Sequence, residues 1–358
     1  TYISYNNRNE PQWSQPMRGP RPLLVTQPYT TQQRCTSVNN ISLIFCTTKI
    51  LCNSCKLWSI NDLYLILTSY VGHKQVRSAH RRAMSQTYLK QHNTTRIFLL
   101  AQIPPTEKYI TQAAIDDESN IFGDILQGTF VENYRNLTYK HLMGLHWSTQ
   151  LCNGTYILKV DDDTVFNYDK TIELLKNLNT NITNKEFILG YMLNDTIARR
   201  NKDNKWFVTS DEYSYSTYPQ YVSGWYYITI PKVAKKLVNI ARYHKYFWID
   251  DILVTGILAE MLEINLIHIP DNFWLEYYEM LECCIRDMIK KHMNCEYTVG
   301  PNGGRNNLIL EFADTLKHCK INNCSERPTH RPLKKYCVLD KDRTIFSDGK
   351  PNVELIKL

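Results

Sequence analysis

From Leu63 onward the chain alternates short apolar runs with amphipathic stretches. Leu63-Tyr64-Leu65-Ile66-Leu67-Thr68 is one such run, and Arg96-Ile97-Phe98-Leu99-Leu100-Ala101, stopped by Pro104-Pro105, is another; both predict buried strands. The polar stretch from Ser78 to Lys90 between them predicts a helix. A helix is also expected over Asn136 to Gln150, with Leu142, Leu145 and His146 near one face. Tyr156-Ile157-Leu158-Lys159-Val160 then predicts a strand that runs straight into Asp161-Asp162-Asp163. Ile172, Leu175 and Leu178 have helical spacing. Phe187 to Tyr191 and Tyr226 to Ile230 read as strands, and Pro231 suits the first turn of a helix carrying Val233, Ala234, Leu237 and Ile240. Ile252 to Leu262 predicts a buried helix and Ile264 to Ile269 a late strand. Strands alternating with helices imply an α/β domain with a mostly parallel sheet, in which ligands bind beyond the carboxyl ends of the strands. The acidic triplet lies at such an end.

The pattern differs before Leu63 and after about residue 280. Residues 1–60 are rich in Asn, Gln, Pro, Thr and Arg without a sustained period, and read as a stem or poorly ordered extension. Residues 61–280 form the expected catalytic domain, and 281–358 a Cys-containing extension packed on it. No apolar run approaches the ~20 residues needed to cross a bilayer. Ile41 to Cys52 is too short and contains Thr47, Thr48 and Lys49. The chain begins at Thr1 rather than Met, so membrane attachment is expected only if an anchor precedes it.

Composition adds a compartment and removes one function class. With 43% hydrophobic and 22% charged residues the chain is expected to fold. Its net charge of +7 is dispersed, with no basic arm or stripe, so no nucleic-acid partner is expected. Eleven cysteines accompany Asn-x-Ser/Thr sequons at Asn40, Asn93, Asn136, Asn153, Asn181, Asn194 and Asn323, which favours a secretory-pathway lumen. Cys52-x-x-Cys55 has no second pair to complete a zinc site, whereas Cys283-Cys284 with Cys295 suggests local bridging. The 24 tyrosines lean toward a sugar-binding cleft.

Three adjacent carboxylates repel one another, and each rises in pKa unless a cation compensates. Hard oxygen ligands suit Mg2+ or Mn2+, which leave positions for diphosphate oxygens. In an extended segment alternate side chains share a face, so Asp161 and Asp163 can converge on a metal while Asp162 points away. A solvated acidic turn is the plain alternative. A phosphatase of the haloacid dehalogenase type is another, since Asp161-x-Asp163 followed by Asp250-Asp251 superficially meets its needs.

Five ordered stretches over about residues 62–275 resemble the beta-1,3-galactosyltransferase family, which includes related N-acetylglucosaminyl and N-acetylgalactosaminyl transferases. They are Arg81-Arg82-Ala83-Met84-Ser85-Gln86-Thr87-Tyr88; Gly123-Asp124-Ile125-Leu126-Gln127 with Phe130 and Tyr134-Arg135-Asn136-Leu137-Thr138; and Leu158-Lys159-Val160-Asp161-Asp162-Asp163-Thr164-Val165-Phe166-Asn167. Lys205-Trp206 with Tyr218-Pro219-Gln220-Tyr221-Val222-Ser223-Gly224, and Asp250-Asp251-Ile252-Leu253-Val254-Thr255-Gly256, complete the set.

The resemblance implies a GT-A type, Rossmann-like sheet, UDP-sugar donors, Mn2+ and inversion at the anomeric carbon. It implies transfer of a hexose or N-acetylhexosamine, galactose foremost, in beta-1,3 linkage to a glycan acceptor on a glycoprotein or glycolipid, at a lumenal Golgi membrane. Asp251 would be the base, and Asp250 would support it or contact the acceptor; Asp163 and Asp161 would hold the metal. Arg81 and Arg82 would contact the nucleotide phosphates, the plain alternative being a surface helix pairing with carboxylates; Asp161, Asp162, Lys205, Trp206 and Gly224 would line the donor or acceptor cleft. The chain departs from the family pattern in Trp225-Tyr226, where small residues are usual, in Asp250, where Glu is usual, and in lacking a matched metal histidine among His268, His292 and His318. Those departures keep a non-transferring, glycan- or UDP-binding relative in view.

Overall fold

The computed structural model describes residues 62–150, 154–178 and 185–337, together with the backbone of two short strands, β1 (Leu23–Thr26) and β2 (Leu43–Ile44). The rest of the expected stem, the Cys52-x-x-Cys55 pair and the sequons at Asn40, Asn153 and Asn181 lie outside the described residues. No helix among the described residues is long and apolar enough to cross a membrane.

The centre is a mixed, mostly parallel sheet. Its inner strands are β3 (Asp62–Thr68), β4 (Thr94–Gln102), β5 (Ile125–Val131) and β6 (Gly154–Asp161), all mutually parallel in the order β6-β3-β4-β5. β9 (Tyr221–Thr229) runs antiparallel against β6 and against β8 (Phe187–Leu193), and β10 (Asn265–His268) closes that edge parallel to β8. On the far edge β1 pairs antiparallel with β5. The continuous apolar run of β3 follows from burial on both faces: Tyr64 and Ile66 enter one core layer, Leu63, Leu65 and Leu67 the other. Helix α4 (Leu137–Gln150) covers the first layer with α6 (Pro231–Ala241), while α5 (Tyr168–Lys176) lies on the second.

Some elements depart from the sequence expectation. The helix expected over Ser78 to Lys90 is two helices, α1 (Lys74–Ala83) and α2 (Gln86–Gln91), because Ser85 adopts an extended backbone and its side chain caps Tyr88 N–H. Between β4 and β5 stands a further helix, α3 (Gln112–Phe122). The helix expected from Ile252 is wound first as a π turn over Ile252–Ile257, then as the short α7 (Leu258–Met261). The Gly-rich Val299-to-Gly304 segment forms β11 (Val299–Pro301) and then turns at Gly303 and Gly304, with φ of 61° and 79°.

β11 pairs antiparallel with β7 (Thr164–Phe166), the short strand just after the acidic triplet. The C-terminal segment around it, α8 (Tyr278–Lys291), α9 (Leu308–Ile321) and α10 (Leu333–Tyr336), is tied by Cys283–Cys337, Cys284–Cys295 and Cys319–Cys324. Its core includes Leu281, Leu308 and Phe312 together with Val76 and Ala79 of α1 and Val165 of β7.

Candidate active site

The three aspartates have three different environments. On the extended β6 backbone Asp161 shares a face with Lys159, whose buried ammonium lies 2.6 Å from Asp161 Oδ1 and also donates to the backbone carbonyl of Gly224. Asp162 turns the other way and is buried, accepting from Ser69 Oγ at 2.6 Å and lying 3.0 Å from His73 Nδ1. Ser69 is held in turn by Arg77, which pairs with Glu118. The backbone carbonyl of Asp162 meets His80 Nε2 at 2.8 Å. Burial opposes the charge of Asp162, but His73 and Ser69 win and hold its carboxyl below the usual range.

Asp163 keeps solvent contact, yet the surrounding protein desolvates its carboxyl and, with the charges of Asp161 and Asp162, pushes it up to about 7. Asp161 is also raised, by burial and by the charges of Asp250 and Asp162, against the pull of Lys159. The turn is fastened from outside, for Asn302 N–H donates to Asp163 C=O at 2.9 Å and Asn167 N–H to Thr298 C=O at 2.7 Å.

Across Lys159 stands the second acidic pair. The β8–β9 register jumps between Gly190↔Tyr227 and Met192↔Val222, so β9 bulges through Ser223 to Tyr226. The bulge brings Gly224 against Asp251: a Cβ at Gly224 would lie 2.9 Å from Asp251 Cβ, which is why no side chain fits there. Asp251 opens the π turn, its Oδ1 accepting from Ile252 N–H at 2.8 Å and its Oδ2 facing Gly224 N–H at 3.5 Å. Thr255 bonds Asp251 C=O and both backbone groups of Val222, pinning the turn to β9. A π turn of this kind is frequent at functional sites. Burial and the neighbouring Asp250 charge push the Asp251 carboxyl up to about 7. Asp250 itself is held low: burial opposes its charge, but His141 Nδ1 lies 2.8 Å from its Oδ2 and Lys159 is close.

Other sequence-predicted residues divide into two groups. Lys205 and Trp206 gather on Tyr134: the Lys205 ammonium sits 4.7 Å from the Tyr134 ring centre, and Trp206 Nε1 donates to Tyr134 OH at 3.1 Å. Burial raises the Tyr134 phenol against the pull of the Trp206 hydrogen bond, and the charges of Asp250, Asp251 and Asp161 raise it further.

Arg81 is placed elsewhere. Its guanidinium is buried, bonded to Glu118 at 2.6 Å and Asp124 at 2.7 Å, and stacked 4.0 Å over Phe122. Such a fork has no free face for a phosphate, so Arg81 belongs to the scaffold under α1. Arg82 is exposed. Trp225 packs 4.0 Å from Trp274, on the opposite core layer from the Asp251 contact, so it does not fill the Gly224 niche.

For a metal, Asp161 and Asp163 offer two hard oxygen donors whose raised proton affinity a divalent cation would relieve, which fits Mn2+. Among the described residues no third His, Cys, Asp or Glu completes a group with them, so further positions would fall to diphosphate oxygens and water. His268 accepts from Met192 N–H, and His292 and His318 stack on one another in the C-terminal segment. Lys159, Ser69, His73 and His141 were not assigned roles from the sequence. Lys159 had a signal, standing two positions before Asp161 on a strand; His141 had none, being 109 residues from Asp250.

The sequence profile of the family described as "Galactosyltransferase" matches residues 79–270, which spans both acidic groups, Gly224 and the Lys205-Trp206 pair. Human beta-1,3-galactosyltransferase 5 is 31% identical over 237 residues, covering 64% of this chain and 74% of that one. Human UDP-GalNAc:beta-1,3-N-acetylgalactosaminyltransferase 1 is 29% identical over 235 residues, covering 64% and 70%. Among solved structures, the galactosyltransferase LgtC in complex with donor and acceptor sugar analogs is 9% identical, covers 75% of this chain and 98% of its own, and has a TM-score of 0.34. With more than half its length matched by the profile and three-quarters of a 31% identical relative spanned by it, the chain belongs to the galactosyltransferase family.

Proposed function

We propose that the protein is an inverting, Mn2+-dependent transferase that moves galactose or an N-acetylhexosamine from a UDP-sugar to a glycan hydroxyl in beta-1,3 linkage, in the Golgi lumen. Galactose is the favoured sugar, on the motif resemblance. The observation that carries the reading is Lys159, whose one ammonium bonds Asp161 and the carbonyl of Gly224, so that the triplet and the Asp251 contact share a single buried cation.

Inversion needs one in-line displacement and one base. Asp251 Oδ2 is that base: Oδ1 is occupied by Ile252 N–H, whereas Oδ2 meets only the long contact to Gly224 N–H. A carboxyl poised at about 7 is half ionised near neutral pH and accepts a hydroxyl proton readily. Asp250 supports it, its negative charge raising the proton affinity of Asp251. Lys159 limits repulsion between the two acidic groups, and Tyr134 with Trp206 offers an aromatic wall for a sugar ring. Asp161 and Asp163 would hold Mn2+, which when bound supplies positive charge opposite the departing diphosphate. Membership of the galactosyltransferase family sets aside the phosphatase alternative.

The test is UDP release from a panel of UDP-sugars with and without glycan acceptors and Mn2+. Acceptor-dependent, Mn2+-dependent release with one sugar is expected; no turnover together with no UDP binding would sink the reading.

A further inference from the structure

Behind Asp250 lies a buried polar chain that no part of the proposed chemistry uses. His141 projects from α4 and is almost fully buried. Its Nδ1 is 2.8 Å from Asp250 Oδ2 and its Nε2 is 2.5 Å from the hydroxyl of Tyr227. Tyr227 stands on β9, immediately after the bulge that carries Gly224. The chain therefore ties the helix, the acidic pair and the strand together at one imidazole.

The protonation pattern follows from the surroundings. Burial raises the Tyr227 phenol well above its ordinary value and lowers His141, so the phenol keeps its proton and the ring is neutral. A protonated phenol next to a neutral imidazole donates to Nε2. The ring proton then resides on Nδ1 and is donated to the Asp250 carboxylate, an arrangement in which each atom of the chain has one fixed role. Asp250 is left with one oxygen taken and a side chain still 18% exposed.

We propose that His141 is a positioning residue for the acceptor-side carboxylates: clamped by Tyr227, it locks Asp250 Oδ2 and thereby fixes how the Asp250–Asp251 pair faces the acceptor. The inference rests on the reading of Asp251 as base, and it adds a residue that touches no substrate. A leucine at the same place would fill the space and release Asp250. An asparagine would keep an N–H donor near the position of Nδ1. A misplacement of about 1 Å at reacting groups costs on the order of 100-fold in rate.

The experiment measures kcat, donor KM, acceptor KM and melting temperature for His141→Leu, His141→Asn, Tyr227→Phe and Asp251→Asn in the full chain. His141→Leu is expected to lower kcat about 100-fold while donor KM stays unchanged. His141→Asn is expected to recover kcat to within about tenfold of the parent, and Tyr227→Phe to cost about three- to tenfold, because each keeps part of the clamp. Transfer by folded His141→Leu within about twofold of the parent would overturn the proposal. So would asparagine failing to rescue, or losses in all three clamp variants that merely follow their loss of folded protein. The base reading fails separately, if Asp251→Asn still transfers; an inactive Asp251→Asn beside a fully active His141→Leu would sink the positioning role alone.

Discussion

The Asp161–Asp163 turn and the Asp250–Asp251 step are built on one plan. Each contains a carboxylate held low by a histidine, Asp162 by His73 and Asp250 by His141. Each also contains a neighbour pushed up to about 7, Asp163 in the first and Asp251 in the second. They differ in access. Asp163 keeps solvent contact at the end of a strand, with Asp161 beside it, whereas Asp251 is pressed against the backbone at Gly224. The same electrostatic stress is thus relieved differently: a solvent-facing pair of oxygens suits a cation, and an enclosed single oxygen suits a proton.

The strongest way to break this comparison is Asp251→Asn, which removes the proton acceptor and preserves shape. Transfer is expected to fall on the order of 1,000-fold with UDP-sugar binding kept, measured by single-turnover transfer beside donor titration. For the parent, kcat/KM should rise with pH through about 7 as Asp251 ionises, an acid limb that the variant lacks.

Asp163→Asn tests the other half. Transfer is expected to drop about 100-fold, and the gain in melting temperature that Mn2+ gives the parent should vanish. Without metal the sign reverses. A carboxyl raised on folding stabilises the fold fully below its unfolded pKa, and that contribution is lost as pH rises through about 7. The parent therefore carries an unrelieved charge above pH ~7, and the metal-free variant should melt higher there.

Gly224→Ala is expected to be milder, about 10- to 100-fold in kcat, because the new methyl must displace Asp251 while leaving its chemistry intact. Smallest is His73→Ala. His73 is 47% exposed on its side chain and Asp162 keeps Ser69, so the loss should stay under about 1 kcal/mol in denaturant unfolding. The hydrogen bond to Asp162 raises the His73 pKa against the opposing effect of burial, so that contribution is full below the unfolded value and fades as pH rises through the folded one.

Much of the sheet was legible because its strands are buried on both sides: the runs at Leu63, Arg96, Tyr156 and Phe187 all became strands. α3 was missed because its sequence, Gln112 to Phe122, is mostly polar and buries little. β5 carries Gly128 and Thr129 within it, which blunts its apolar signal. The π turn was invisible because apolar residues at helical spacing do not report how the backbone is wound. At the site, the alternation along β6 correctly separated Asp162 from Asp161, since a period of two is fixed by the strand itself. Arg81 is legible either as a phosphate contact or as a partner of carboxylates, and only the fold shows that its partners are Glu118 and Asp124, buried beneath α1. His141 depended on a contact between distant segments, which only the fold supplies.

The hydrogen bond from Asn302 to Asp163 sets a timetable. Synthesis proceeds at about 5–20 residues per second, so the strand that fastens the acidic turn leaves the ribosome on the order of ten seconds after the turn does. Cys284–Cys295, which closes the segment leading into that strand, forms at the pace of thiol oxidation. Newly made chains should therefore pass through an interval in which the sheet is assembled and the acidic turn is still open on one side.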